Sequence, residues 1–355
     1  MQLFRELPPF RPIRFFRNGH MQTILGAYCP GKTPRYTAVR RETKLNDGDR
    51  VLLHDDLPAS WNPGDPVVLL VHGLSGSHAS PYVGRTAAKL NARGIRTFRM
   101  DLRGCGAGRN LAVRPLHAGR SEDAAAALAT IASLCPGSPI DAVAFSMGAN
   151  ILLKMAGEMG PNAPEYVRSI IAVAPPVDLA ITCQNLSIGW NAMYDRSFVR
   201  ALLRHIENRH NELPNAEPIR LSRRPRRVYE FDDWVTAPLS GFAGADDYYT
   251  QASSAPYLQN IHVPTLILAA ADDPLVPVRM FEQCSLSPSV ELHVTEYGGH
   301  VGYVGIAGCD PDRRWLEWRI VEQVTGLASY QRTPMPSRPW SVTDDTPRPL
   351  RSNLQ

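Results

Sequence analysis

With 355 residues, 44% of them hydrophobic and 20% charged, the chain can bury one large core, and a single catalytic domain carrying an insertion is the leading expectation. A formal net charge of +4 is small for this length and lysine occurs only at positions 32, 44, 89 and 154, a balance that excludes a nucleic-acid footprint. The 6 cysteines lie far apart without a C-x-x-C pair, which suggests neither a disulfide framework nor a zinc site.

The N-terminus lacks a signal-peptide apolar stretch and a transmembrane segment of about 20 apolar residues, so a soluble, cytoplasmic protein is expected. Residues 42–53 place Asp47-Gly48 between two extended stretches, the signal of a hairpin that adds antiparallel strands at one sheet edge. Residues 67–71 form a valine and leucine run bounded by Pro66 and His72-Gly73, which reads as a central strand buried on both faces. Further strands are predicted at 97–100, 140–144, 169–174, 265–270 and 290–295, separated for the most part by helices at 81–93, 121–134 and 147–159. The glycine-rich stretch 103–108 lacks the G-x-G-x-x-G spacing and the immediate long helix of a dinucleotide loop, so it is read as a flexible loop near the site, with Cys105 a small packing residue.

Between about 178 and 254 the strand rhythm breaks into arginine, aromatic and proline residues with helical stretches such as 197–208, and this insertion is read as a cap over the site. Its Trp190, Met193, Tyr194 and Phe198 either line a pocket or form the cap's own core. His205 and His210 do not make an H-E-x-x-H pair and, five apart, do not share a helical face, so no metal role is assigned. The arginines at 223, 224, 226 and 227 read as a solvated loop surface, with anionic lipid or an acidic partner as the alternative. Residues 330–355 are rich in Pro, Arg, Ser and Asp with few apolar anchors, and are expected to be a disordered or loosely draped tail to a domain spanning 1–329. Repeated strand-helix alternation gives an α/β fold with a mostly parallel sheet, an antiparallel edge hairpin and helices on both faces.

The chemistry centres on Ser146, which ends an apolar run at Phe145 and opens a helix at Met147, with Ala144 and Gly148 two positions either side. Small residues at those positions permit a strand-to-helix turn sharp enough to expose the hydroxyl, the nucleophile elbow. A serine needs a base and a third group to orient that base. Asp273, directly before Pro274 at the end of strand 265–270, is the candidate carboxylate, with Asp272 as competitor and turn-capping residue. His300, on the glycine-rich loop after strand 290–295, is the candidate base, whereas histidines 54, 78, 117, 205, 210, 262 and 293 are read as surface or structural residues. The backbone N–H groups of Met147 and Leu74 are the candidate oxyanion donors. No cofactor or metal is called for.

These residues, with the blocks at 17–24, 72–77, 101–106, 146–152, 230–232, 247–249, 272–274 and 298–302, resemble the α/β-hydrolase superfamily and, more narrowly, its YheT-like branch. That branch includes bacterial candidate esterases, eukaryotic abhydrolase-domain lipases and yeast medium-chain ester-forming acyltransferases. The likeness runs over about residues 15–327, and the family's triad maps onto Ser146, Asp273 and His300. Three departures stand out: Ala144 and Ala149 replace the glycines usual in this branch, and His54-Asp55 replaces an Asp-Trp pair. The resemblance implies a serine hydrolase of short- or medium-chain carboxylic esters acting through an acyl-enzyme on a small-molecule ester or lipid. The alternatives are transfer of the acyl group to an alcohol, a noncatalytic binding protein on the same fold, and work at a membrane surface through peripheral contact.

Overall fold

The computed structural model describes residues 4–29, 31, 35–214 and 218–330. Of the expected tail, residues 331–355 lie outside that range.

The valine and leucine run becomes β3 (Val67–Val71), every residue of which is buried. Its side chains alternate between two cores, Val67, Leu69 and Val71 on one face of the sheet and Val68 and Leu70 on the other, as the two-residue period of a strand requires. The other strands are β1 (Val39–Lys44), β2 (Arg50–Asp56), β4 (Arg96–Asp101), β5 (Ile140–Phe145), β6 (Val167–Val173), β7 (Thr265–Ala270) and β8 (Val290–Thr295). They form one sheet in the order β1-β2-β4-β3-β5-β6-β7-β8. Among these strands only β2 opposes its neighbours, β1 across the Asp47-Gly48 turn and β4 on its other side, and the remaining pairs are parallel.

Before the sheet comes α1 (Gly19–Tyr28), and α2 (Pro81–Asn91), α3 (Ser121–Leu134) and α4 (Met147–Met159) follow β3, β4 and β5. The segment between β6 and β7 is helical: α5 (Leu179–Leu186), α6 (Ala192–Glu212), α7 (Val228–Phe231), α8 (Ala237–Ser240) and α9 (Ala245–Ala252), with a π-helical turn at Asp232–Thr236. The chain ends its described part in α10 (Trp315–Tyr330), which packs with α2 on one face of the sheet, while α3 and α4 pack on the other. Proline at the start of α2 needs no N–H there, and the Asp178 carboxylate caps α5 by accepting from Ile181 N at 2.8 Å.

Two expectations change. The loop at 103–108 is pinned: Arg103, 1% exposed, reaches Asp123 at 2.6 Å, Asp47 at 2.7 Å and Asp49 at 2.8 Å. A guanidinium taken out of water requires such partners, and here they tie the loop to the edge hairpin and to α3. The aromatic residues of the insertion also divide. Phe198 faces a cavity, but Trp190, in the turn before α6, is 82% exposed and Met193, in the first turn of α6, 46%.

Candidate active site

At the end of β5 the backbone turns through Ser146 at φ +52°, ψ −124°, a conformation costly for any residue with a side chain. Two contacts enforce it. Ser146 N donates to the Val173 carbonyl at 2.8 Å, and a methyl on Gly148 would run into the carbonyl of His72. Ala144 is a fully buried core residue between Val71 and Ala172, so the extra methyl relative to glycine is accommodated within the sheet.

His300 Nε2 lies 2.8 Å from Ser146 Oγ, and its Nδ1 lies 2.9 Å from Asp273 Oδ2. A carboxylate only accepts, so the ring proton sits on Nδ1 and leaves Nε2 to accept from the serine hydroxyl. Asp273 is itself fixed, its Oδ1 accepting from Leu275 N at 2.8 Å and Val276 N at 3.0 Å. Asp272 instead accepts from Gly299 N at 2.9 Å, holding the backbone of the histidine loop. Burial raises the Asp272 carboxyl above its ordinary value.

The N-terminal segment completes the support. Thr23 Oγ1 accepts from His300 N at 2.8 Å and donates to the Gly19 carbonyl at 2.7 Å. The Gln22 side chain, fully buried, accepts from Val304 N at 2.8 Å and donates to Phe16 O at 2.7 Å. Helix and loop approach backbone to backbone: a methyl on Gly19 would overlap the Asp272 carbonyl, and one on Gly299 the Gly19 carbonyl. Thr23 and Gln22 were visible only as part of the block at 17–24; nothing in their spacing placed them against residue 300. The same holds for His20, whose ring stacks on Tyr194 of α6 with Nδ1 at 3.1 Å from the phenol oxygen.

Ser146, His300, Leu74 and Met147 line a cavity of about 440 Å³ whose far walls come from α5 to α9. Met147 is the first residue of α4, where an N–H has no intrahelical acceptor, and no turn or loop bond among the described residues uses the Leu74 N–H. His72 braces the Leu74 loop, its Nε2 accepting from Leu102 N at 3.2 Å and its Nδ1 donating to Gly73 O at 2.7 Å. Tyr82 accepts from Gly73 N at 3.1 Å.

The cavity walls hold buried polar groups that sequence spacing did not connect. Asp232, in the π turn, accepts from Thr236 Oγ1 at 2.7 Å and from Tyr249 OH at 2.8 Å, joining the blocks at 230–232 and 247–249. Burial raises its carboxyl to about 6. Burial also pushes the thiols of Cys105 and Cys183 up to about 12, so both face the cavity as protonated, unreactive groups.

Among the described residues, His54, His78 and Asp101 come together at metal-ligand spacing. The two imidazole rings stack at 3.5 Å with an interplanar angle of 13°, so a single ion cannot lie in the plane of both, and the group does not fit a metal. It works as a structural anchor. Burial pushes the Asp101 carboxyl up, but bonds from His54 and His78 outweigh it and hold the group below the ordinary carboxylate range. His54 thus fills its departure from the branch pattern with a buried hydrogen-bond partner for Asp101, its imidazole kept from protonation chiefly by burial, and Tyr36 OH meets its other nitrogen at 2.6 Å.

A model of the alpha/beta hydrolase fold matches residues 66–305, more than half of the chain, and the Escherichia coli (strain K12) protein YheT is 34% identical over 329 residues, covering 91% of this chain and 94% of that one. The chain belongs to the α/β-hydrolase superfamily, in its YheT-like branch. Relatives within this superfamily include the human phospholipase ABHD3, 26% identical over 296 residues (81% of this chain, 71% of that one). The Saccharomyces cerevisiae medium-chain fatty acid ethyl ester synthase/esterase 2 is 26% identical over 286 residues, covering 74% of this α/β hydrolase and 63% of the yeast chain. The solved Pyrococcus furiosus esterase Pf2001 shares the fold, with a TM-score of 0.52 at 15% identity over 90% of this chain and 99% of that one.

Proposed function

We propose that the protein is a serine hydrolase of carboxylic esters in which Ser146 is the nucleophile, His300 the general base and acid, and Asp273 the group that orients His300. The observation that carries this reading is the unbroken hydrogen-bond chain from Ser146 Oγ through His300 to Asp273, opening on a cavity. Ser146 Oγ attacks the ester carbonyl as its proton passes to His300 Nε2, and the imidazolium formed is stabilised by Asp273. The oxyanion is met by the N–H groups of Leu74 and Met147. Collapse expels the alcohol, which takes the proton from Nε2 and leaves the acyl group on Ser146. Water, deprotonated by the same nitrogen, then attacks the acyl-enzyme; the bond from the acyl carbon to Ser146 Oγ breaks, the carboxylic acid leaves, and Oγ takes back the proton from Nε2. The relatives named esterase, phospholipase and ester synthase support this chemistry, and a cavity of about 440 Å³ supports a short or medium acyl chain. The helices between β6 and β7 act as the cap that encloses that chain.

A fluorophosphonate probe tests the assignment: wild-type protein is labelled and Ser146→Ala is not, while both retain the same circular dichroism. Labelling that survives in the alanine variant removes Ser146 from its role. A p-nitrophenyl ester series from two to twelve carbons gives the acyl preference. The yeast relative's ester-synthase name supports a second reading, in which an alcohol takes the acyl group in place of water; product analysis in added ethanol separates the two. No helix among the described residues is long and apolar enough to cross a membrane.

A further inference from the structure

The cavity has two chemically distinct ends. Helix α6 starts beside the proposed triad, where Tyr194, in its first turn, bonds to His20 and lies close enough to Asp273 that burial and that carboxylate together raise its phenol, and from Phe198 onward it lines the cavity. From residue 194 to residue 204 the helix advances about 15 Å at 1.5 Å per residue. There Arg204 and His205 line the cavity, and the His205 ring packs on the loop after β4, where a methyl on Gly104 would lie 2.8 Å from the imidazole. Arg109 comes from the same loop and lines the same wall.

Four arginines, at 109, 114, 204 and 209, line the cavity. The buried arginines 85, 96, 99, 103 and 319, and the half-buried Arg168, each meet a carboxylate. Arg114, also on the wall, pairs with Asp47 at 3.3 Å. Arg109 and Arg204, both exposed where they line the cavity, have no carboxylate within ion-pair distance among the described residues, so water is what an incoming anion displaces from them, and Arg204 Nε bonds to the Arg200 carbonyl at 3.3 Å. Among the described residues Asp232 is the one carboxylate lining the cavity, and it is taken up by Thr236 and Tyr249. Between the arginines and Ser146 the wall is apolar, with Phe198, Leu202 and Leu179.

We propose that Arg109 and Arg204 form an anion site at the far end of the cavity, so that the preferred ester carries an apolar chain ending in a carboxylate or a phosphate. Guanidinium forks match the oxygens of both groups, and the apolar wall fixes how far from the scissile carbonyl the anion must sit. The turnover part of this proposal rests on the ester-hydrolase reading of Ser146; the binding part does not.

The test compares monomethyl dodecanedioate, methyl dodecanoate and methyl 12-phosphonooxydodecanoate. In wild-type protein at low salt, kcat/KM for either charged ester exceeds that for methyl dodecanoate at least tenfold, and the ratio shrinks as salt rises. In the R109Q/R204Q double variant the ratio falls to near one, whereas Arg40→Gln, which removes an exposed arginine on the edge strand β1, keeps it. Whichever charged ester shows the larger ratio identifies the anion. Calorimetric titration of Ser146→Ala with the same three compounds reads affinity without turnover, and the charged esters bind at least tenfold tighter. Equal kcat/KM and equal affinity for charged and uncharged esters overturn the anion site, as does a preference that survives R109Q/R204Q. Tight, arginine-dependent binding with no cleavage of any ester upholds the anion site and overturns the hydrolase reading alone.

Discussion

Replacing Thr23 by valine keeps the shape of the side chain and deletes one oxygen, the atom that accepts from His300 N and donates to the Gly19 carbonyl. Thr23 is buried, so both backbone groups lose their partner where water does not replace it, at a cost of about 1–3 kcal/mol for an unsatisfied group. Part of that cost appears as lower stability. The rest appears as movement of residues 299–301, the loop that must keep the imidazole at 2.8 Å from Ser146 Oγ and 2.9 Å from Asp273 at the same time. A misplacement of about 1 Å at a reacting group costs roughly a hundredfold in rate. Thr23→Val is therefore expected to lower kcat by about 10- to 100-fold with KM little changed, and Thr23→Ser, which returns the hydroxyl, to recover most of it. Steady-state hydrolysis of a p-nitrophenyl ester, with thermal unfolding of each variant measured beside it, separates placement from stability. A valine variant with wild-type kcat, or a serine variant as slow as the valine one, refutes the idea that this hydroxyl positions the base.

Asp273→Asn keeps the shape but offers an amide where Nδ1–H needs an acceptor; a drop in kcat of about 10⁴-fold is expected in the p-nitrophenyl assay, with the protein still folded by circular dichroism. Gly19→Ala drives a methyl into the Asp272 carbonyl, so both the melting temperature and kcat fall, whereas Gly84→Ala, where a methyl meets open space at an ordinary φ, leaves kcat alone. Asp232 gives a pH signature. Burial raises its carboxyl from 3.8 to about 6, so the folded chain holds that proton more tightly; the stability this confers is full below pH 3.8 and is lost as pH rises through about 6. The loss is on the order of 3 kcal/mol and is absent in Asp232→Asn. His117, lowered to about 3 chiefly by burial, acts oppositely in the same window, its contribution present above 6.5 and lost on acidification. Urea unfolding of both proteins at pH 4, 5, 6 and 7 cancels that term in the difference, and a flat difference contradicts the assignment. Iodoacetamide at pH 7.5 is expected to leave activity intact, because Cys105 and Cys183 are held protonated; rapid inactivation traced by mass spectrometry to either thiol counts against it.

What the sequence made legible follows from how local the signal is. β3, β5 and β7 could be read because strands buried on both faces become unbroken apolar runs, and a strand's end fixes where its loop begins. That logic reached Ser146 and Asp273, which follow β5 and β7, whereas His300, after the half-buried β8, was reached through its glycine-rich loop and the chain order of the three candidates. It failed where a side chain's fate depends on a distant segment. Trp190 and Phe198 are alike in composition, yet one faces solvent and the other the cavity, a difference set by how the turn before α6 leaves α5. Arg103 sits in a glycine-rich stretch that looks mobile until Asp47, Asp49 and Asp123 are brought to it. Thr23 and His300 are separated by 277 positions, and their bond runs through a backbone N–H that carries no residue-type signature.

The bracing of the imidazole by α1 decides where the functional unit begins. A fragment cut to the 66–305 stretch that the family model matches would keep the three side chains proposed as the triad. It would discard Gly19, Gln22 and Thr23, and with them the floor beneath residue 300. On the proposed mechanism such a shortened chain is expected to lose activity, so any truncation or fusion at the amino end has to spare the first turn and a half of that helix.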